Sequence, residues 1–171
     1  IVDLAVDLGA AVVTTHIGVI PSDDSNPRFG VMQRALTECG LYAQSRGVTL
    51  AIETGPEPAR TLLHFLEGTK GGVGVNLDPA NFVMVTGDDP VQAVYTLKEY
   101  IVHTHAKDGI KLVDGNPDYI YGVVHPVPTE FEGIEYFREV PLGEGSVPFE
   151  KYLNALDDIG YKGFLTIERE C

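Results

Sequence analysis

The sequence is poor in basic residues. It contains 12 Lys and Arg against 25 Asp and Glu, which gives a formal net charge of −13. A protein of this charge repels a phosphate backbone, so a nucleic-acid-binding function that depends on basic patches is disfavoured and we expect no nucleic-acid partner. The same acidity suits an enzyme that keeps cations nearby, although most of these carboxylates are expected to form a solvated surface.

Long apolar runs are also absent from the sequence. No uninterrupted run reaches the roughly 18 residues that a membrane-spanning helix needs, so we expect no membrane partner. No basic segment precedes the apolar residues at the start, which argues against a signal peptide. The two cysteines, Cys39 and Cys171, form no CxxC motif. We interpret both as free thiols in a reducing, cytoplasmic compartment, with a disulfide between them as the disfavoured alternative.

Five short apolar segments are predicted to be strands, and helical patterns separate them. The strand segments are 11–18, 48–55, 72–78, 100–105 and 163–168. Strands that alternate with helices in this way are typical of a parallel sheet covered on both faces. Two architectures fit the pattern, an open doubly wound sheet and part of a (β/α)8 barrel. The glycine-rich segment GTKGGVG precedes a strand instead of following one, so it does not match a phosphate-binding loop.

Helical periodicity predicts helices at 29–46, at 58–68, after Asp89 and after Ser146. The remaining stretch, 106–145, has no sustained periodicity. A stretch of this length is unusual as a plain connection in a compact domain, so we predict a functional loop there. Its several aromatic residues predict either a lid over a site or a contact between subunits.

Ionisable side chains end the predicted strands. They are Glu53, Asp78, His105 and Glu168, with His16 at the end of the first strand. Each follows a run that would otherwise be buried, where an ionisable group is costly unless it is paired or binds a metal. In a parallel barrel the carboxyl ends of the strands lie on one face, so side chains that are far apart in the sequence converge there.

Three carboxylates and one imidazole form a mostly hard set of ligands. Such a set favours Mn²⁺ or Mg²⁺, with Co²⁺ and Zn²⁺ as alternatives. Each residue alone is equally well explained as a polar strand end that faces solvent. Their occurrence on successive strands favours a single metal site.

Several motifs resemble those of the xylose isomerase-like TIM barrels, a family that includes sugar phosphate isomerases and epimerases, ketose 3-epimerases, inosose dehydratase and endonuclease IV. The motifs are IETGPE, NLDPAN, HTHAKD, LGEGSVPFEKYLNAL and GYKGFLTIERE. The resemblance covers nearly the whole chain and maps the strands onto strands four to eight of the barrel. It implies an α/β fold, an incomplete (β/α)8 TIM barrel, with residues 1–171 as a single domain from the C-terminal part of such a barrel.

The resemblance also implies roles for particular residues. The implied metal ligands are Glu53, Asp78, His105 and Glu168. Of these, Glu53 and Glu168 are the implied catalytic pair. The residues expected to bind substrate, with structural or solvent-facing roles as alternatives, are His16, Asn81, Lys107 and Glu57. His103 is the disfavoured member of its HxH pair, and we expect it to point away from the barrel centre and to pack against an outer helix.

The function implied by the resemblance is a metal-dependent sugar or sugar phosphate isomerase or epimerase. Such an enzyme removes a proton next to a carbonyl and passes through an enediolate, with a small sugar as its substrate. Two alternatives remain open: a dehydratase or lyase of the inosose or dehydroshikimate type, and a non-catalytic fragment. Five strands cannot close a barrel without leaving edges exposed, so we expect the missing part to come from further chain or from another copy in a homo-oligomer.

Two departures from the family pattern argue against DNA repair. Members resembling endonuclease IV carry additional zinc ligands, a His three residues after the Asp of the sixth strand and a DxH pair before the LGEG-like segment. Here these positions hold Asn81 and the pair Phe137 and Glu139. Together with the acidic net charge, these differences favour a site for one metal ion.

Overall fold

The computed structural model describes residues 1–169 and contains a parallel sheet covered by helices. The sheet strands are β1 Val12–Thr15, β2 Thr49–Glu53, β3 Val73–Leu77, β4 Ile101–Ala106 and, last in the chain, β7 Leu165–Ile167. A separate hairpin consists of β5 Asp108–Lys111 and β6 Phe137–Val140. The helices are α1 Val2–Leu8, α2 Pro27–Ser45, α3 Ala59–Glu67, α4 Pro79–Asn81, α5 Pro90–Leu97, α6 Pro117–Ile120 and α7 Phe149–Asp158, with a π-helical turn at Phe82–Thr86 and a 3-10 turn at Thr129–Phe131.

The strand order decides between the two architectures that the sequence left open. The five strands lie in the order β1-β2-β3-β4-β7, and every neighbouring pair is parallel. A doubly wound sheet reverses its strand order part-way, whereas a barrel adds each strand beside the one before it. The sheet is therefore a curled half-barrel, an incomplete TIM barrel, as the family resemblance implied.

The five predicted strands are all present, each within or beside its predicted segment. The helix predicted at 29–46 begins two residues earlier, at Pro27, because the side chain of Asn26 accepts a hydrogen bond from the backbone of Arg28 and Pro27 occupies the first turn. The C-terminal signal was correct, since Gly47 has a φ of 74° just after the helix.

The stretch 106–145 is not an unstructured loop. It contains the antiparallel pair β5–β6 and the short helix α6. The two strands have only four residues each and lie beside the sheet's carboxyl ends instead of spanning the core. The sequence of these short strands therefore shows no repeating apolar pattern.

The core lies between the sheet and helices α2, α3, α5 and α7. All five residues of β3 are buried, because it is the middle strand and is covered on both faces. Fully buried side chains from strands and helices pack there, including Ile52, Leu62, Phe65 and Leu97. Each such side chain contributes about 2 kcal/mol of burial free energy, which fixes the strand ends in position.

Apolar residues remain exposed where the half-barrel ends. Within residues 1–169, β1 and β7 each have a neighbour on one side only. On and beside β7, Phe164 is 80% exposed and Ile167 is 73% exposed. Across the same described range, no helix is long and apolar enough to cross a membrane. Cys39 is an exposed free thiol, whereas Cys171 lies outside the described residues.

Candidate metal centre

The four strand-end residues meet at one edge of the sheet. Glu53 ends β2, Asp78 directly follows β3, His105 lies near the end of β4, and Glu168 directly follows β7. One ligand atom from each side chain lies within 4.8 Å of the corresponding atoms of the other three. Glu53, Asp78 and His105 are buried, and Glu168 is partly exposed. The topology thus gathers residues from four neighbouring strands into one cluster.

A single ring nitrogen of His105 faces all three carboxylates. Its Nδ1 lies 3.1 Å from Asp78 Oδ2, 3.3 Å from Glu168 Oε2 and 3.6 Å from Glu53 Oε1. Three carboxylate oxygens and one imidazole nitrogen that converge at such distances match the ligand types that divalent cations of the Mg²⁺, Mn²⁺ and Zn²⁺ group accept.

The cluster has an excess of negative charge, which shifts the pKa values of its members. Burial raises the pKa of Glu53, and the charge of Glu168 raises it further. Burial lowers the pKa of His105, but the hydrogen bond and charge of Asp78, with the charges of Glu53 and Glu168, outweigh burial and raise it. In the absence of a metal, the protein therefore stabilises a proton where a cation would neutralise the carboxylates.

Asp78 divides its two carboxylate oxygens between structure and site. Its Oδ1 accepts hydrogen bonds from the backbone N–H groups of Ala80 and Asn81, at 2.8 and 3.0 Å, and so caps α4. The backbone N–H of Asp78 donates to Thr54 Oγ1 at 2.8 Å. These contacts hold the side chain so that Oδ2 faces His105, which explains why the Asp-Pro dipeptide follows this strand.

Two of the residues predicted to bind substrate lie beside Glu53. Asn81 donates from Nδ2 to the backbone oxygen of Thr54 at 2.9 Å and to Glu53 Oε1 at 3.4 Å. His16 Nε2 lies 3.5 Å from Glu53 Oε2, and its side chain is 62% exposed. Both line a cavity of about 250 Å³ that also contains Lys107 and Tyr121.

Lys107 is buried and contacts two carboxylates. Its Nζ lies 2.9 Å from Glu139 Oε1 and 3.0 Å from Glu168 Oε2. Burial lowers the pKa of Lys107, but the charge of Asp78 and the bonds to Glu139 and Glu168 outweigh burial and raise it. The ammonium group therefore connects the cluster to β6, and its charge is already engaged by carboxylates of this chain.

A family model for xylose isomerase-like TIM barrels matches residues 1–171. The chain belongs to the xylose isomerase-like TIM barrel family. No match was found among the curated proteins.

Solved structures of similar fold cover almost all of this chain. A xylose isomerase domain protein from Planctomyces limnophilus is 32% identical with a TM-score of 0.80, and the match covers 98% of this chain and 55% of that one. A D-psicose 3-epimerase with D-tagatose, from Clostridium cellulolyticum H10, is 19% identical with a TM-score of 0.67, and the match covers 97% of this chain and 52% of that one. A xylose isomerase-like TIM barrel protein from Mycobacterium smegmatis, in complex with magnesium, is 18% identical with a TM-score of 0.70, and the match covers 98% of this chain and 57% of that one. The chain thus spans about half the length of these family structures.

Glu57 lies apart from the other residues predicted to bind substrate. It lines a different cavity, of about 340 Å³, together with Ile20, Arg28 and Asn116. Its side chain is buried, and its Oε2 has no hydrogen-bond partner among residues 1–169. Burial raises the pKa of Glu57 to about 8, although the backbone of Ile20 donates a hydrogen bond that lowers it. A role for Glu57 in binding hydroxyl groups therefore concerns this second cavity.

His103 takes a different position from the one predicted. Its Nε2 lies 2.9 Å from Thr166 Oγ1 on β7, and its ring meets that of His105 edge-on at 5.9 Å. The expectation of packing against an outer helix missed this link between two strands. Residues two apart in a strand point to the same face, so the prediction that His103 turns away from His105 was wrong. Nothing near His103 in the sequence identifies its polar partner on a strand 63 residues later.

Sequence reasoning gave no site role to Asp108 or Glu139, and it predicted Tyr121 only as one of the aromatic residues of a lid or a subunit contact. Asp108 is buried and binds backbone N–H groups of the LGEG segment. The hydroxyl of Tyr121 lies above Gly55, where an added Cβ would come within 2.8 Å of it. Glu139, named only as a departure from the zinc-ligand pattern, contacts Lys107. For Glu139 the available signal was its position, which the endonuclease IV pattern described above assigns to a zinc ligand.

Proposed function

We propose that this chain carries the metal centre and the acid–base pair of a divalent-metal-dependent sugar or sugar phosphate isomerase or epimerase. The observation that carries the proposal is the cluster of four ligand atoms within 4.8 Å of one another at the carboxyl ends of the strands. Membership of the xylose isomerase-like family supports the assignment. The active sites of TIM barrels lie at this end of the strands.

In this proposal the ion is held by Glu53, Asp78, His105 and Glu168. Mn²⁺ or Mg²⁺ suits the oxygen-rich set best, with Co²⁺ and Zn²⁺ as alternatives. A similar fold has been solved in complex with magnesium, which supports this choice. When bound, the ion polarises a substrate carbonyl and neutralises the negative charge that develops on the adjacent oxygens.

Glu53 and Glu168 act as the general base and the general acid. They come from β2 and from the end of β7, with β3 and β4 between them in the sheet. This separation suits them to approach a substrate from two sides. One carboxylate accepts the proton from the carbon next to the carbonyl, and the other returns a proton to the opposite face. The hydrogen bond from Lys107 to Glu168 Oε2 orients that carboxylate.

The 250 Å³ cavity beside the cluster is the proposed sugar site. His16, Asn81 and Tyr121 present polar groups there that suit hydroxyl groups of a sugar. Burial raises the pKa of Tyr121, so its hydroxyl stays protonated and able to donate a hydrogen bond. The fold's likeness to a D-psicose 3-epimerase seen with D-tagatose supports a ketose as the first substrate class to test.

Metal titration followed by proton exchange tests the proposal. The chain is titrated with Mn²⁺ and Mg²⁺ by calorimetry, then incubated with ketoses in D₂O and followed by NMR. We expect metal binding and deuterium incorporation next to the carbonyl. Incorporation that is accompanied by loss of water would instead support a dehydratase. A chain that binds no divalent ion would contradict the proposal and favour a non-catalytic module.

The substitution Glu168→Gln gives the sharpest single test. It keeps the size of the side chain but removes its ability to accept the substrate proton, so we expect exchange to fall by at least about 100-fold while weakened metal binding persists. Glu150→Gln, on the exposed side of α7, is the matched control and should leave exchange unchanged. Full exchange activity in the Glu168 variant would exclude it as an acid–base residue.

A further inference from the structure

Asn76 is a polar residue in the middle strand of the core. It lies in β3, whose five residues are all buried, and it is itself fully buried. In the strand register it is paired with Glu53 on β2 and with His103 on β4, where the ladder shifts between Val75 and Asn76. A buried amide in such an apolar strand is unfavourable unless its polar atoms find partners.

One side of this amide contacts two residues of the metal-binding cluster. Asn76 Nδ2 lies 3.1 Å from His105 Nε2 and 3.5 Å from Glu53 Oε2. The other atom, Asn76 Oδ1, is buried and has no hydrogen-bond partner within residues 1–169. The amide nitrogen of Asn76 therefore contacts residues of the cluster, whereas its amide oxygen accepts no hydrogen bond within residues 1–169.

The direction in which His105 faces constrains this amide. His105 Nδ1 is the nitrogen that points at the three carboxylates. If Nδ1 binds an ion, it carries no proton, so the neutral ring must carry its proton on Nε2. That N–H then needs an acceptor, and the group beside it is the Asn76 amide.

A half-turn of the amide supplies the acceptor. It places Oδ1 where Nδ2 now lies, 3.1 Å from His105 Nε2, and moves Nδ2 into the position where Oδ1 finds no donor among residues 1–169. The rotation gives up the long 3.5 Å contact from Nδ2 to Glu53 Oε2. The proton position on His105 selects between the two orientations, because an unprotonated Nε2 accepts from Nδ2 and a protonated Nε2 donates to Oδ1.

We propose that Asn76 is a positioning residue of the metal centre, whose amide oxygen holds the proton of His105 on Nε2 and thereby keeps Nδ1 available for the ion. This inference rests on the proposed metal centre. Partners of this kind on metal-binding histidines fix the ring and raise metal affinity by about 10- to 100-fold.

Two substitutions separate the acceptor from mere packing. Asn76→Leu keeps the branched shape and the number of side-chain heavy atoms but has no acceptor, whereas Asn76→Asp keeps an acceptor, loses the amide donor and adds a carboxylate. Calorimetry with Mg²⁺ should show affinity about 10- to 100-fold weaker in the Leu variant, and affinity equal to or tighter than the original in the Asp variant. The control is Asn154→Leu, an exposed position on α7, which should bind as the original chain does.

Nitrogen-15 NMR of His105 supplies a readout independent of activity. In the Mg²⁺-loaded original chain and Asp variant, we expect the proton on Nε2. The role of Asn76 would be overturned by any of three results. These are an equal loss of Mg²⁺ affinity in both variants, an unchanged affinity in a folded Leu variant, or a proton on His105 Nδ1 in the Mg²⁺-loaded Asp variant. If the Leu variant does not fold, the affinity and proton position of the Asp variant decide. If the original chain binds no Mg²⁺ or Mn²⁺, the metal centre itself is refuted together with this inference.

Discussion

Asp108 should be a principal support of the segment that follows β4. Its Oδ1 accepts hydrogen bonds from the backbone of Gly109 and Val147, at 2.9 and 3.1 Å, and its Oδ2 accepts from Gly143 and Gly145, both at 2.9 Å. The side chain is 1% exposed. One carboxylate thus satisfies four N–H groups and joins the two ends of the inserted segment.

The substitution Asp108→Asn tests this arrangement with almost no change in volume. The amide oxygen can still accept from Gly109 and Val147, the more buried pair, but the NH₂ group then faces the N–H donors of Gly143 and Gly145. Two hydrogen bonds to a charged group, each worth about 1.5–3 kcal/mol, are lost. Because these two contacts are only partly buried, water can replace some of them, and we expect about 3 kcal/mol of destabilisation. For a chain of this size that lowers the melting temperature by roughly 6–12 °C.

Chemical denaturation and amide hydrogen exchange measure the effect. The amides of Gly143 and Gly145 should exchange faster in the variant, whereas those of β3 should change only by the global loss of stability. Asp114→Asn is the matched control, because Asp114 lies in the same inserted segment but is 97% exposed and forms a surface ion pair with Lys111. Unchanged exchange at both glycines, with stability within about 0.5 kcal/mol of the original, would refute the reasoning.

Two further substitutions test buried charges. Lys107→Met should destabilise the chain by about 3 kcal/mol, because it leaves the carboxylates of Glu139 and Glu168 in a largely buried site without their shared cation, and denaturation at neutral pH checks this. Burial raises the pKa of Glu57 to about 8 in the folded chain, against an ordinary value of 4.5, so the folded state favours the protonated carboxyl group. The free energy of unfolding should therefore fall as the pH rises from about 4.5 to about 8. Denaturation from pH 4 to 9 should therefore show a smaller decline for Glu57→Gln than for the original chain, and identical pH profiles would contradict the assignment.

The strands and the convergence of their ends were predictable, because both follow from local pattern. β2, β3 and β4 are short apolar runs, each with an ionisable residue at or beside its end, and parallel topology brings such ends together. The Asp78-Pro79 pair also carried a local signal, since it combines a helix cap with a proline in the first turn. The strands, their ionisable ends and the helix cap were therefore predictable because each depends on residues that are close together in the sequence.

The contacts that support the cluster were not predictable in this way. Asn76 interrupts an apolar strand, and nothing near it in the sequence indicates that its partner is His105, 29 residues later. Lys107 meets Glu139 only because the inserted segment folds back as a hairpin, whose short strands have no periodicity. Such pairs depend on tertiary geometry, which a single sequence without aligned relatives does not reveal.

The way Asp108 closes the inserted segment at its base has a consequence for engineering. Its carboxylate joins residues 35 to 39 positions apart, so the stem of the segment is held together independently of its tip. The tip, which carries Tyr121 to the cavity wall, could thus be shortened or exchanged between family members by cutting just inside the stem. Grafting a different tip would then change one wall of the cavity and leave the strand ends untouched.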